Sequence, residues 1–403
     1  MASDDATAVD GEADFAPSTV CPELLDAEGP VRLVVRWRHM EPWAWASPGS
    51  AGFEVIDGVL MAAQPSSPWV AGSEPFNVWV DAETGEALPY ERDRAVAGAS
   101  VVAVRSDGGE FEVIGFLPGF GDVPADPQGS SWDPTGRMSG AWGWGVEATG
   151  LGIVSAERLR WATSRSAGTR GFGVIEGLAL DGTWGVDGGS VGYRGAVVAL
   201  YRGPDLPGEA FVAWSRTAAG ERWLWTVADQ LILTDESFAE LRRIPLEWDA
   251  AFVPAAVVHP DAVGSDFLIA GRSLSFSAGI GMRVERRNPE DLSVLSAHHL
   301  ESYEGLVEQP EPRDLAGDVA GNLALAWGAQ RRASDSSRAL CLYLTPLDED
   351  GAPAGPAVRI DEGPVDVDGT PVENVRLIAR DGSFFVLWQR QPDMWLARVD
   401  HAE

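Results

Sequence analysis

The chain has 403 residues, 45% of them hydrophobic, with 46 Gly, 27 Pro and a formal net charge of −31. That length can bury a substantial core, and abundant turn formers beside short apolar runs favour many strands over long helices. The charge excludes nucleic acid and anionic lipid as main partners unless a strong local basic patch exists, because both carry the same sign as the protein.

The N-terminus opens with "ASDDATAVDGEADFAPST", small, acidic and of low complexity. Such a segment has little to bury, so residues 1–28 read as a disordered tail and residues 29–403 as one domain. Met1 to Val20 lacks the charged start and apolar centre of a signal peptide, and no run approaches the ~18 residues of a membrane span, so no membrane insertion is expected. The tail resembles the spacer that follows the lipid-bearing Cys of bacterial lipoproteins. That resemblance implies an extracytoplasmic chain, periplasmic, cell-surface or secreted, with a lipid anchor in the native precursor. The only cysteines are Cys21 and Cys341. They read either as a disulfide tying tail to body in an oxidising compartment or as two unrelated thiols, one buried in a strand.

Val31 to Trp37, "VRLVVRW", is a clean strand with no earlier partner. Downstream, "GEAFVAW", "GSDFLIA", "GNLALAW" and "GSFFVLW" end at Trp214, Ala270, Trp327 and Trp388, at separations of 56, 57 and 61 residues. "GGEFEVI", ending at Ile114, is an earlier member. Turns at Asp81, Asp235, Asn288, Asp348 and the closing Asp400 form a second series, whose later separations are 53, 60 and 52. Asp133 and Asp181 fill its long gap. Asp, Asn and Gly suit hairpin turns because those need positive φ or a side chain that bonds its own backbone.

A unit of ~50 to 60 residues with about four short strands has the size of a propeller blade. The expected fold is therefore all-β, a β-propeller of seven blades with six or eight as alternatives. Its repeated strands lie near Phe53, Phe111, Ile153, Phe211, Phe267, Ala324 and Phe385. The N-terminal strand is expected to complete the C-terminal blade, which removes a free sheet edge. Leu117 to Gly145, dense in Gly, Pro and Trp, reads as a long irregular loop. "LDEDGAPAGPAVRI", "ARDGSFFVLWQR" and "MWLARVD" give the closest likeness: the chain resembles divergent β-propeller repeat proteins of bacterial envelopes. That family is functionally mixed and implies no active-site residues.

Loops assigned to one face of such a propeller hold nine Arg against three acids. Arg165, Arg170, Arg216, Arg222, Arg272, Arg331, Arg332, Arg338 and Arg390 would form a mouth for a carboxylate, sulfate or phosphate, which guanidinium binds bidentately. Pairing with nearby acidic loops is the competing reading. Trp132, Trp142 and Trp144, with Trp43 and Trp45, could stack on a sugar or peptide, or simply pack as core. The single Trp at 214, 327 and 388 is assigned to packing. No cofactor is expected. Calcium is the one metal considered, at Asp348, Asp350, Asp366 and Asp368, where alternating carboxylates occur without a complete calcium loop.

The five His form no ligand spacing, and neither a nucleophile elbow nor a phosphate loop is present. The sequence thus favours a non-catalytic envelope protein binding a glycan or peptide, or contacting other envelope proteins. A polysaccharide hydrolase or lyase and a structural interaction module are the alternatives, the first because 61 acids leave many carboxylate pairs open.

Overall fold

The computed structural model describes residues 31–39, 52–64, 76–90, 101–107, 109–117, 126–143, 161–163, 172–174, 183–187, 190–194, 210–227, 230–235, 239–245, 266–275, 279–300, 308–318, 320–332, 338–365, 373–390 and 393–401. Every described element is a β-strand, so the all-β expectation holds. The first is β1 (Val31–His39). Sheet 1 has β2 (Gly52–Ile56), β3 (Val59–Gln64) and β4 (Phe76–Asp81). Sheet 2 has β5 (Val101–Asp107), β6 (Glu110–Leu117), β7 (Asp126–Trp132) and β8 (Met138–Gly143).

Two short ladders follow. One pairs β9 (Trp161–Thr163) with β10 (Phe172–Val174), the other β11 (Thr183–Asp187) with β12 (Ser190–Arg194). Sheet 3 has β13 (Ala210–Thr217), β14 (Gly220–Val227), β15 (Gln230–Asp235) and β16 (Glu240–Pro245). Sheet 4 has β17 (Phe267–Ser275), β18 (Gly279–Arg287) and β19 (Val294–Leu300). Sheet 5 has β20 (Glu308–Gly317), β21 (Leu323–Arg332), β22 (Arg338–Leu347) and β23 (Val358–Val365). Sheet 6 takes β24 (Glu373–Arg380), β25 (Ser383–Arg390) and β26 (Asp393–His401), and β1 pairs antiparallel to β26 as its outermost strand. The N-terminal strand therefore completes the C-terminal sheet.

Apart from β1 in sheet 6, each sheet is a simple up-and-down meander, and its tight turns follow from local chemistry. Gly58, Gly109, Gly220, Gly321 and Gly382 all have positive φ and open the second strand of a sheet. Asp57 and Asp381 precede two of them at φ 49°, a conformation that Asp tolerates better than most residues. The turn after the third strand uses a different device. Asp81 Oδ1 accepts the backbone N–H of Glu83 and Thr84, Asp133 that of Thr135 and Arg137, and Asp348 that of Asp350 and Ala352. Asn288 does the same for Glu290 after β18.

The glycine marker corrects the repeat read from the sequence. The strands at Phe111, Ala324 and Phe385 are second strands and those at Phe53 and Phe211 come first, while β17 at Phe267, first among the described strands of sheet 4, runs in the sense of a second strand, since it begins opposite Arg287 beside the Asn288 turn. Ile153 lies outside the described residues. Both strands of a hairpin carry the same apolar run when a sheet is buried on both faces, so the text alone does not separate them. Leu117–Gly145 is corrected too: it holds β7 and β8, joined by the Asp133 turn.

Strand alternation sends successive side chains to opposite faces, and those faces carry the sheet-to-sheet packing. Leu224, Leu231 and Leu233 of sheet 3 meet Phe267 and Ile269 of sheet 4. Leu268 and Val284 of sheet 4 join Leu325, Trp327 and Tyr343 of sheet 5. On the other face of β21, Ala324 and Ala326 pack toward Phe384, Val386 and Trp388 of sheet 6. Phe385, Leu387 and Leu396 of sheet 6 then pack on Phe53, Val55, Leu60 and Ala62 of sheet 1. Met61, one residue along, turns instead to Phe111 and Trp132 of sheet 2. The first sheet thus lies between the last and the second. Beyond sheet 2, β11 lies beside β7 and β9 beside β13. Trp132, Trp327 and Trp388 are fully buried, each burial contributing on the order of 2 to 3 kcal/mol.

Candidate ligand-binding face

Polar contacts between sheets show that the turns share one side of the molecule. Arg222 Nη2, beside the β13–β14 turn, lies 3.2 Å from Glu290 in the turn after β18. Arg286 Nη1 lies 2.9 Å from Asp350 in the turn after β22. Gly382, in the β24–β25 turn, donates its N–H to Asp318 Oδ2 at 3.1 Å, beside the β20–β21 turn. Arg398 reaches the Ala82 carbonyl at 3.2 Å. This turn face is built of Asx turns and ion pairs. The opposite ends of the same strands form a second face, where second strands connect to third in the other sheets and where β17 connects to β18 in sheet 4.

That division splits the arginines expected in one mouth. Arg331 and Arg332 end β21 and Arg338 begins β22, with Arg332 and Arg338 directly opposite in register. Arg390 ends β25 opposite Asp393, and Arg272 lies toward the same end of β17. These five backbone positions belong to the second face. Arg216 and Arg222 do not: their register partners are Glu221 and, on β15, Asp235, next to the turns. The sequence misplaced them because the β13–β14 hairpin at Gly220 was read as a second-to-third connection. Arg165 and Arg170 lie outside the described residues.

The tryptophans divide as well. Trp132 is buried at the turn end of sheet 2, its Nε1 donating to Ser130 Oγ at 2.8 Å and its ring 6.1 Å from Trp79, so it is core and not a surface platform. Trp142 lies toward the second-face end of β8, opposite Gly129. Trp43, Trp45 and Trp144 lie outside the described residues. Trp327 and Trp388 pack as expected: the first stacks on Tyr343 with centroids 4.6 Å apart and donates to Thr345 Oγ1, the second stacks on Trp395. Trp214 lies on β13.

Asp348 and Asp350 serve the fold. The Oδ1 of Asp348 takes two backbone N–H groups, and Asp350 pairs with Arg286, so the turn accounts for both without a metal. Asp366 and Asp368 lie outside the described residues. Among the described residues no group of three His, Cys, Asp or Glu could hold a metal ion. Cys341 is buried on β22 and disulfide-bonded.

One buried charge cluster escaped the sequence reading. Glu285 on β18 is flanked two residues away on either side by Arg283 and Arg287, and it pairs with both. Arg287 Nε donates to Glu285 Oε2 at 2.7 Å and Nη1 to the Leu292 carbonyl at 2.8 Å. Charge pairing plus a backbone acceptor is what lets such a group be buried, so the cluster reads as structural. The i, i+2, i+4 spacing of "RVER" and the following Arg was its signal.

No protein-family model matches the chain, and no curated protein matches it. Solved structures overlap it broadly but loosely. A provisionally assigned 6-phosphogluconolactonase of Bacteroides fragilis is 13% identical, with 83% of this chain and 92% of that one covered, at a TM-score of 0.36. The quinohemoprotein alcohol dehydrogenase of Comamonas testosteroni is 10% identical, with 92% and 76% covered, also at 0.36. An endo-1,4-beta-xylanase of Bacteroides thetaiotaomicron is 11% identical, with 73% and 88% covered, at 0.29. At such scores an overlap assigns this chain neither an architecture nor an activity.

Proposed function

We propose that residues 29–403 form a seven-bladed β-propeller, the two ladders β9–β12 supplying the blade between sheets 2 and 3. In this reading the protein is an extracytoplasmic binding protein whose second face takes an anionic glycan or peptide. The packing of the first sheet between the last and the second supports the ring. The observation that carries the binding reading is the placement of five arginines at one end of three sheets. Asx turns and ion pairs occupy one face, while Arg272, Arg331, Arg332, Arg338 and Arg390 approach the other on three adjacent sheets. Guanidinium groups gathered at one face would suit carboxylate, sulfate or phosphate because each donates in parallel pairs.

The disulfide at Cys341 supports the compartment, since such bonds persist where the surroundings are oxidising. In a sequence of two cysteines the partner would be Cys21, which would tie the tail of residues 1–28 to sheet 5.

The test is a screen of acidic and neutral glycans and peptides against the intact protein, the Arg331→Ala/Arg332→Ala variant, and Arg222→Ala as a turn-face control. Binding of an acidic ligand that falls at least tenfold in the first variant and holds in the control is expected. Equal losses in both variants, or turnover of a polysaccharide into products, would overturn the reading.

A further inference from the structure

Between sheets 1 and 2 the chain buries polar groups that the protein itself does not satisfy. Asn77 on β4 is 1% exposed, and neither Oδ1 nor Nδ2 has a hydrogen-bond partner. Trp79, two residues along and 3% exposed, has an unpartnered Nε1. Trp79 packs toward sheet 2, its ring edge-on to Phe111 at 5.4 Å and to Tyr90 at 5.5 Å. Strand alternation sends Asn77 to the same face. The neighbouring indole differs: Trp132 Nε1 is satisfied by Ser130 Oγ at 2.8 Å.

The surroundings make a dry amide costly. Met61, Phe111 and Trp132, which cluster with Trp79, are fully buried and offer at most a weak thioether acceptor. Each buried polar group left unpaired disfavours folding by roughly tenfold or more. An asparagine amide presents two donors and an acceptor with two lone pairs, and an indole presents one donor. Water matches that set, because one molecule both donates and accepts and needs only two to four polar partners. Direct satisfaction through a small shift is the competing outcome.

We infer that one or more buried water molecules are bound between sheets 1 and 2, hydrogen-bonded to the Asn77 amide and to Trp79 Nε1. The site is a solvent site beneath the second face, since Asn77 is the second residue of β4 and β4 begins at that end. It is independent of the anion-binding reading.

A crystal structure of the intact protein at high resolution tests it first. Solvent density within about 3.2 Å of Asn77 and of Trp79 Nε1 is expected. A protein group on these atoms, an organic molecule in their place, or no density beside them would each overturn the inference. Asn77→Leu, of similar volume and without polar atoms, gives the second readout in urea unfolding. Loss of the bound water and its partner should shift the folding equilibrium about tenfold toward the unfolded chain. An unchanged or more stable variant would show that the amide was dry, and the inference would fall. If that variant does not fold, the wild-type density decides.

Discussion

Arg398 on the last strand donates from Nη1 to the carbonyl oxygen of Ala82, 3.2 Å away across 316 positions of chain. The same guanidinium bonds both oxygens of Asp400, at 2.7 and 3.0 Å. It therefore joins sheet 6 to sheet 1, where Phe385 and Leu396 pack on Phe53 and Leu60. Arg398→Leu should lower stability by about 1 to 2 kcal/mol, because the Ala82 carbonyl loses this donor and Asp400 is left with the Ser383 hydroxyl in place of a paired guanidinium. Arg243→Leu breaks a pair whose side chains are 41% and 40% exposed and should cost about 0 to 0.5 kcal/mol. Urea unfolding of the two variants side by side checks the difference; equal losses would remove the special status of the seam.

The N-terminal strand protects the edge of β26. Its register runs from Val31 opposite His401 to His39 opposite Met394, and Val31 joins the core between sheets 5 and 6. Deleting residues 1–39 should leave a long unpaired edge rich in apolar residues, which invites pairing with a second copy. A lower thermal midpoint and concentration-dependent self-association in size-exclusion chromatography are expected. A deletion variant that stays monomeric with an unchanged midpoint would mean that the strand adds little to sheet 6.

Asp318 gives the fold an acid limit. Burial works to raise the pKa of this carboxyl, but the Asn322 side chain and the backbone N–H groups of Asn322, Gly382 and Ala320 outweigh it and hold the pKa below the ordinary 3.8. A group depressed on folding contributes stability that is present above its unfolded value and lost as pH falls through its folded value. Wild-type stability should therefore drop as pH goes below about 4. Asp318→Asn should be less stable at neutral pH and flatter with acid, since its amide nitrogen cannot accept from Gly382. Denaturant titrations from pH 7 downward measure both slopes; parallel curves would exclude Asp318 as a contributor.

What the sequence made legible follows from how local each signal is. The Asx turns at Asp81, Asp133, Asn288 and Asp348 were readable because a side chain satisfying its own backbone leaves a short, fixed text. The clasp was readable because "VRLVVRW" is an apolar strand with no earlier partner. By contrast, β7 and β8 have "DPQGSSW" and "MSGAWG", free of β-branched residues, and their strand character comes from pairing with β6 and burial of Trp132. The faces of the arginines required knowing which hairpin contained Gly220. Asn77 carried a faint signal, one amide inside the apolar run "FNVWV", which acquires meaning only once its burial is known.

Trp132 separates a core role from a ligand platform. It is fully buried, bonded to Ser130 Oγ at 2.8 Å and packed with Trp79 and Phe111 between sheets 1 and 2. Its removal leaves a cavity the size of an indole and removes the indole hydrogen bond to Ser130 Oγ. Trp132→Ala should cost about 3 to 5 kcal/mol, as other buried aromatic truncations do. Trp132→Phe keeps most of the volume and should cost about 1 to 2 kcal/mol. Ligand affinity of the folded Phe variant should remain at the wild-type level, because the ring lies at the turn end of sheet 2 while the arginines approach the opposite face. Thermal unfolding and binding of the same acidic ligand measure the two effects separately. Intact stability with lost binding would instead place Trp132 in the ligand site and reverse the assignment of faces in sheet 2.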